Sequence, residues 1–131
     1  MVSDVSIWRI LIAAIVYFAI GAVWYSPALF AKAWMKELGK KKADLSGAQV
    51  AMITTFASML VLVVVEAWLV SATGASGAMA GAKLGALVWL GFSATTGLIN
   101  NAFQGASKKL FAIDQGYHLV GIVVAGAILA Y

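Results

Sequence analysis

Four stretches of this chain are each long enough and apolar enough to cross a lipid bilayer as a helix. They cover about residues 7–25, 50–70, 78–99 and 113–131. A membrane-spanning helix needs about 20 mostly apolar residues, and its backbone satisfies its own hydrogen bonds in hydrocarbon. The sequence therefore predicts an all-α fold, an integral membrane four-helix bundle that forms a single transmembrane domain over residues 1–131.

The composition is typical of a membrane protein. Hydrophobic residues make up 63% of the chain and charged residues 11%, whereas soluble domains have about 25% charged residues. Cysteine is absent and histidine occurs once, so we expect no disulfide, no metal site and no cofactor. The net charge is +4, but the lysines flank membrane spans, so we expect the lipid bilayer rather than nucleic acid as the partner.

The segment between the first and second spans predicts a short amphipathic helix at about 27–38. One face carries Leu29, Phe30, Ala33, Trp34 and Leu38, and another carries Lys32, Lys36 and Lys40. This pattern is typical of a helix lying in the headgroup plane, and the alternative is a solvated lysine loop. The aromatic residues expected to anchor the chain at the membrane interface are Trp24, Tyr25 and Trp34.

The lysines also predict how the chain is oriented. The first connection carries Lys32, Lys36, Lys40, Lys41 and Lys42, the third carries Lys108 and Lys109, and the second carries none. Lysine and arginine are more frequent in cytoplasmic connections, so we expect both termini to lie outside the cytoplasm. The end of the bundle that carries the first and third connections is called the inner end here, and the opposite end the outer end.

Small residues on the third and fourth spans predict close helix packing. Gly77, Gly81 and Gly85 are each four residues apart, and Gly121 and Ala125 have the same spacing. Small residues at this spacing let two helix backbones approach closely in a membrane. The contact lies either within one bundle or between the subunits of a homo-oligomer or a larger membrane complex.

Three charged residues form a predicted outer polar cluster. Arg9, Glu66 and Lys83 come to similar depth near the outer ends of their spans. A charge in hydrocarbon is costly unless it is paired or hydrated. We expect either a salt bridge that locks three helices together, or a proton- or ion-responsive Glu66 that lines a path. At about 100° per residue, Lys83 points away from Gly81 and Gly85.

A second predicted cluster lies toward the inner end and consists of Asn100, Asp114, Tyr117 and His118. Asp114 and His118 are four residues apart at the start of the fourth span, so they can face the same way and form a hydrogen bond. Such a pair can move protons near neutral pH. The alternative is a polar helix entrance with Tyr117 as an interfacial anchor, and Asn100 can reach the same site.

Several motifs, taken in order, resemble a known family. The first is residues 21–30, GAVWYSPALF, followed by Lys32, Trp34 and Met35. The later ones are Gly91-Phe92, Thr95-Thr96, Leu98-Ile99-Asn100, Phe103, Lys109-Leu110-Phe111, residues 116–120 (GYHLV) and residues 126–129 (GAIL). Together they are similar to domain of unknown function 1761. The resemblance implies a stand-alone, four-span protein of the bacterial cytoplasmic (inner) membrane, and it implies no activity, substrate or catalytic residue.

Three hypotheses about function follow from these patterns. The first is a non-catalytic structural or accessory subunit, which packs with itself or with a larger membrane complex. The second is a small ion- or proton-coupled transporter or channel. The third is an enzyme acting on lipid, which we rank last because Asp114 and His118 are the only pair that resembles catalytic machinery. We therefore expect a protein that is not an enzyme and has no catalytic residues.

Overall fold

The structure is a computed structural model that describes residues 5–39 and 48–131, and over these residues it is all-helical. Helix α1 is Ile7–Trp24, α2 is Ala31–Leu38 and α3 is Ala48–Thr73. The third span is continuous and consists of α4 (Ala78–Val88), a π-helical segment (Trp89–Ala94) and α5 (Thr95–Gln104), and α6 is Lys108–Ala130. Lys40, Lys41 and Lys42 lie outside the described residues.

Four of the helical stretches are long and apolar enough to cross a membrane. They are Ile7–Trp24, Gln49–Thr73, Ala78–Gln104 and Lys108–Ala130. The prediction of an all-α bundle is confirmed, and the chain is a multi-pass membrane protein. Large apolar side chains are exposed on the outside of the bundle, as expected where helices contact lipid, and examples are Trp8, Ile53 and Leu87.

Helix α6 lies at the centre of the bundle and contacts every other helix. Its most extensive contact is with α4, followed by α1. The core between α1, α3 and α6 consists mainly of small and β-branched side chains together with two tyrosines; its most deeply buried members are Ala13, Ala14, Tyr17, Val63, Ala67, Ile122, Ala125 and Leu129. Small core residues suit a membrane bundle, because close packing stabilises helix association in lipid.

The connection between the third and fourth spans is shorter than hydropathy predicts. The third span ends at Gln104 rather than about residue 99, and the fourth begins at Lys108 rather than about 113. Polar residues continue both helices, because backbone hydrogen bonds rather than hydropathy decide where a helix ends. Gly105 ends α5 with a φ of 67°, and the Ser107 hydroxyl accepts a hydrogen bond from the Leu110 amide at 3.0 Å to begin α6.

Helix α2 is shorter than predicted and begins at Ala31 instead of about residue 27. The residue at its N-cap is Phe30, which makes no side-chain cap hydrogen bond, while the Ser26 hydroxyl donates to the Val23 carbonyl at 2.7 Å at the end of α1. Helix α2 ends at Gly39 in a left-handed conformation. Glu37 near this end accepts a hydrogen bond from Ser107 at 3.0 Å, which ties α2 to the start of α6.

Helix α3 is buried only along its outer half. Its buried side chains are Met59, Val63, Glu66, Ala67 and Val70, whereas every side chain from Gln49 to Ser58 is exposed. In the inner half, the ring of Phe56 contacts Phe18 of α1 in an edge-to-face arrangement at 5.7 Å. The poorly packed inner half of α3 leaves open space between α1, α3 and α6, and this space positions the candidate site.

Candidate functional site

The predicted outer cluster does not form a salt bridge among the residues that the structure describes. Glu66 is 2% exposed, and neither of its carboxyl oxygens has a hydrogen-bond partner. Lys83 is exposed, while Gly81 and Gly85 on the same helix are buried. The hypothesis of a lock between three helices is therefore wrong for Glu66, because Lys83 points out of the bundle, as its helical position predicts, while Glu66 points into it.

Arg9 and Glu66 also lie in separate places. Arg9 is half-buried and lines a groove of about 470 Å³ on the other side of α6, with mostly apolar neighbours: Ile12, Ala78, Val123, Val124, Ala127, Ile128 and Tyr131. Glu66 instead reaches the crossing of α4 and α6. A Cβ built on Gly126 would lie 2.8 Å from Oε1 of Glu66. The carboxyl group therefore fits against a backbone position that only glycine leaves open.

The glycines of the third span pack as the sequence predicts at two of three positions. A Cβ on Gly85 would lie 2.6 Å from the Ile122 carbonyl oxygen, and one on Gly81 would clash with the backbone of Gly126. Gly77 is different, since it has a φ of 94°, precedes α4, and a Cβ there would meet nothing. Its amide donates to the Ala130 carbonyl at 2.7 Å, so Gly77 closes the connection rather than packing.

The small residues predicted on the fourth span do not face the glycines of α4. Gly121 faces α1, where a Cβ would lie 2.5 Å from the Tyr17 ring, and Ala125 is buried in the core. The partners of Gly81 and Gly85 are Gly126 and Ile122 instead. Sequence reasoning missed Gly126, although Gly126 and Ala130 have the four-residue spacing that marks close packing.

The spacing of Asp114 and His118 permits a hydrogen bond between them, but in the structure each lies against a tyrosine instead. The Tyr25 hydroxyl donates to Oδ1 of Asp114 at 2.7 Å, and the Tyr17 hydroxyl lies 2.6 Å from Nδ1 of His118. Both tyrosines come from the first span or its end, so each polar residue of α6 is held by α1 rather than by its neighbour. Tyr17 was not among the predicted site residues.

The two pairs lie at different distances along α6. Because α6 begins at Lys108, Asp114 is about 9 Å and His118 about 15 Å along the helix at about 1.5 Å per residue. Tyr117 is 5% exposed and its hydroxyl donates to the Tyr17 carbonyl at 3.0 Å, so it is a core residue and not an interfacial anchor.

The predicted interfacial aromatics also take part in the site. Trp24 donates from Nε1 to the Ile113 carbonyl at 2.9 Å, and the ring of Trp34 contacts that of Tyr25 edge to face at 5.4 Å. Tyr25 therefore joins Trp34 of α2 to Asp114 of α6, because its hydroxyl donates to Asp114 and its ring contacts Trp34.

A cavity of about 550 Å³ lies between α1, α3 and α6 in the inner half of the bundle. We call it the inner cavity; its lining residues are Tyr17, Tyr25, Trp34, Thr54, Thr55, Ser58, Met59, Leu62, Asp114, Gln115, Tyr117 and His118. Sequence reasoning missed its hydroxyl side, because Thr54, Thr55 and Ser58 are ordinary residues within an apolar span. They face a cavity only because α3 stands away from α1 and α6.

A smaller cavity of about 130 Å³ lies beside the inner cavity, between α5 and α6, and Asn100 and Gln104 line it. Asp114 and Gln115 line both cavities. Asn100 and Asp114 therefore share a site, as the sequence predicts. The neighbouring Asn101 stabilises the connection between α5 and α6, since its side chain donates to the Ser107 carbonyl at 2.9 Å and accepts from Lys108 at 2.5 Å.

The π-helical segment of the third span positions Gln115. The Trp89 indole donates to the Gln115 carbonyl at 2.9 Å, and the Ser93 hydroxyl donates to its side-chain oxygen at 2.9 Å. A π-helical turn inside an α-helix is rare and is frequent at functional sites. It shifts the helix face locally, so that Trp89 and Ser93 both reach the residue that separates the two cavities.

The described residues contain no group of three or more histidine, cysteine, aspartate or glutamate side chains that is placed to hold a metal ion. The polar groups of the described residues that line the inner cavity are one carboxylate, one imidazole, one side-chain amide, one indole N–H and several hydroxyls. Such a set binds through hydrogen bonds and charge.

Comparison with known proteins places the whole site inside one family. The family model described as "Protein of unknown function (DUF1761)" matches residues 8–130. No curated protein and no solved structure matches the chain. Every residue that lines the inner cavity lies within the matched range.

Proposed function

The chain belongs to the DUF1761 family, and from that premise we propose that it is a non-catalytic membrane protein that binds a small solute in the inner cavity and moves it across the membrane. The observation that carries this proposal is a cavity of about 550 Å³ lined by Asp114 and His118, which both lie on the fourth helix long and apolar enough to cross a membrane. Ionisable groups inside a membrane are costly and usually mark a pathway for a solute or proton. A pocket of this volume is within the range that holds small molecules.

The packing of the two halves of the bundle supports a transporter more than a channel. In the outer half, α4 and α6 meet backbone to backbone at Gly81 and Gly126, and the core beside them is filled by residues such as Val63 and Leu129. In the inner half, α3 leaves the cavity open. In an alternating-access transporter, each end state is open on one side of the membrane and closed on the other, as the two halves of this bundle are. A channel instead needs a continuous path through the bundle.

The contacts of His118 support a non-catalytic role. In a catalytic triad a carboxylate orients the imidazole that activates the nucleophile. Here Nδ1 of His118 is 2.6 Å from the Tyr17 hydroxyl, and Asp114 bonds to Tyr25. Ser58 lines the same cavity but is exposed on α3. A lipid hydrolase therefore has little support.

Solute binding is tested by the melting temperature of purified protein in the presence of small aromatic solutes of three charge classes: benzyltrimethylammonium, phenylacetate and benzyl alcohol. We expect at least one class to raise the melting temperature of the wild type and not that of Ser58→Trp, which fills the inner cavity. Ala57→Trp is the matched control, because Ala57 is equally exposed on the same turn but does not line the cavity.

The stabilising solute is then offered to proteoliposomes in radiolabelled form. Uptake by the wild type and Ala57→Trp, but not by Ser58→Trp, is the result that transport requires. The proposal fails if no class stabilises the protein or if both tryptophan variants respond alike. If the solute binds but is not taken up, the protein binds solutes and the proposal of transport is wrong.

A structural or accessory subunit is the second candidate, in which the protein packs with itself or with another membrane protein. The observation that favours it is the exposed inner half of α3 from Gln49 to Ser58, which another chain can cover as well as lipid can. Native mass spectrometry of mildly extracted protein separates the two candidates. A second chain at fixed stoichiometry that protects this half of α3 from labelling supports the subunit, and a monomer argues against it.

We further propose that the protein lies in a bacterial cytoplasmic membrane with both termini outside the cytoplasm. Support comes from Lys32, Lys36, Lys108 and Lys109, which flank the inner ends of the spans. Fusions at Tyr131 test this orientation. We expect alkaline phosphatase fused there to be active and green fluorescent protein to be dark, and fluorescent fusions with inactive phosphatase would reverse the orientation.

A further inference from the structure

We propose that the inner cavity takes a small organic cation, an amine or quaternary ammonium with an apolar body, whose positive charge lies between Asp114 and the aromatic rings of the cavity wall. This inference rests on the proposed solute binding and names the class of solute. It depends on three features of the cavity, which are its charge, its aromatic wall and its size.

The first feature is a negative charge that no described lining residue offsets. Among the residues that the structure describes, Asp114 is the only acidic one that lines the inner cavity, and no lysine or arginine lines it. Within the described part of the chain, the one hydrogen-bond partner of Asp114 is Tyr25, at 2.7 Å. A carboxylate accepts several hydrogen bonds, so Asp114 keeps capacity for a further donor. A cation placed there would offset the cost of holding a carboxylate away from water.

The second feature is an aromatic wall around that carboxylate. The Tyr25 ring contacts Trp34 at 5.4 Å and Tyr117 at 5.6 Å, and Tyr117 contacts Tyr17 at 5.3 Å, all edge to face. Neighbouring rings are inclined by 66–77° to each other, and all four residues line the inner cavity. Aromatic rings arranged around a space attract cations through their faces, and quaternary ammonium groups are recognised in this way.

The third feature is size together with the kind of donor atoms. A volume of about 550 Å³ far exceeds that of a bare metal ion, and the described residues offer no cluster of ligands for one. Inorganic cations prefer several oxygen ligands to aromatic faces. Among the described lining residues an organic anion meets no lysine or arginine, and His118 is already engaged with Tyr17 at Nδ1. An organic cation is the class that matches all three features.

The test measures binding of benzyltrimethylammonium to the whole protein in lipid nanodiscs by isothermal titration calorimetry. Phenylacetate and benzyl alcohol are the anionic and neutral probes of similar shape. We expect the cation to bind at least tenfold more tightly than either. Asp114→Asn, which keeps the size of the side chain, is expected to weaken cation binding at least tenfold and to leave the other two unchanged.

Trp34→Leu is the second variant, since it removes one ring of the wall without touching Asp114. We expect it to weaken cation binding about fivefold, and it keeps the test valid if Asp114→Asn does not fold. Trp8→Leu is the matched control, because Trp8 is 70% exposed near the start of α1 and does not line the cavity. Its affinity should equal that of the wild type.

The outcomes separate the two proposals. If the anion or the neutral probe binds more tightly than the cation, and Ser58→Trp abolishes that binding, the inference of a cationic solute is overturned. Solute binding by the inner cavity would still stand. Cation binding that is equal in wild type, Asp114→Asn and Trp34→Leu also overturns the inference. If none of the three probes binds, and none stabilises the protein, the proposed function fails together with it.

Discussion

Replacing Gly81 with alanine is expected to destabilise the protein by about 3 kcal/mol, the upper part of the usual range for overpacking. The added Cβ would lie 2.7 Å from the Cβ of Ala130 and 2.7 Å from the carbonyl carbon of Gly126. None of these atoms belongs to a flexible side chain that can turn away. Helices α4 and α6 therefore have to separate, and close packing is what stabilises two helices in a membrane.

The measurement is the free energy of unfolding in mixed micelles, and Gly91→Ala is the matched control. Gly91 lies in the same span, and a Cβ there would meet no atom within 4 Å. Alanine is favoured over glycine inside a helix by up to about 1 kcal/mol, so the control should be as stable as the wild type or slightly more stable. Equal stability of the two variants would contradict the close crossing of α4 and α6.

The second large effect is expected in the opposite direction, at Glu66. Replacing Glu66 with methionine should stabilise the protein by about 2 kcal/mol, because a buried carboxyl group without a hydrogen-bond partner is costly to keep. Glu66 is 2% exposed, and neither of its oxygens has a partner among the described residues. Methionine has a similar length and adapts to irregular space, so it fills the volume against Gly126 without a cavity.

Lys83→Met is the matched control for Glu66→Met, and unfolding in mixed micelles is again the measurement. Lys83 is exposed and has no interaction with Glu66, so its replacement should change stability by less than about 0.5 kcal/mol. If the two residues were joined in a salt bridge, both variants would be destabilised and their effects would not add. That result would restore the lock between helices.

If Glu66→Met is more stable than the wild type, Glu66 becomes a candidate functional residue. A residue that lowers stability and is kept in the fold is typical of functional positions, where activity requires a costly group. Glu66 lies on the face of α3 that also carries Met59 and Leu62, which line the inner cavity. Comparing solute uptake by Glu66→Gln and wild type would therefore extend the stability measurement to function.

Part of the fold follows from local sequence alone. The four spans are determined by runs of apolar residues, since a backbone in lipid has no other way to satisfy its hydrogen bonds. The exposure of Lys83 opposite Gly81 and Gly85 follows from the helical repeat. The ends of the third and fourth spans were missed by hydropathy, although Gly105 and Ser107 are local signals for a helix end and a helix start.

The candidate site was predicted only in part, for a reason that Asp114 and His118 make clear. Spacing of four residues on one helix permits a hydrogen bond between them, and the sequence contains no information on competing partners from another helix. Tyr25 and Tyr17 are such partners, and they are available because α1 packs against α6 with a particular rotation and depth. The inner cavity likewise exists only because the inner half of α3 is not packed.

The sequence by itself therefore determined the number of spans, the lysine-bearing end and the residues that let α4 pack closely. Each of these depends on hydropathy, charge or the helical repeat, which act over a few neighbouring residues. The tertiary structure decided that Glu66 has no hydrogen-bond partner in the described part of the chain, that Gly81 packs against Gly126, and that Asp114 and His118 bond to tyrosines. These contacts depend on the rotation and depth of one helix against another. Interactions summed over the whole bundle determine that arrangement.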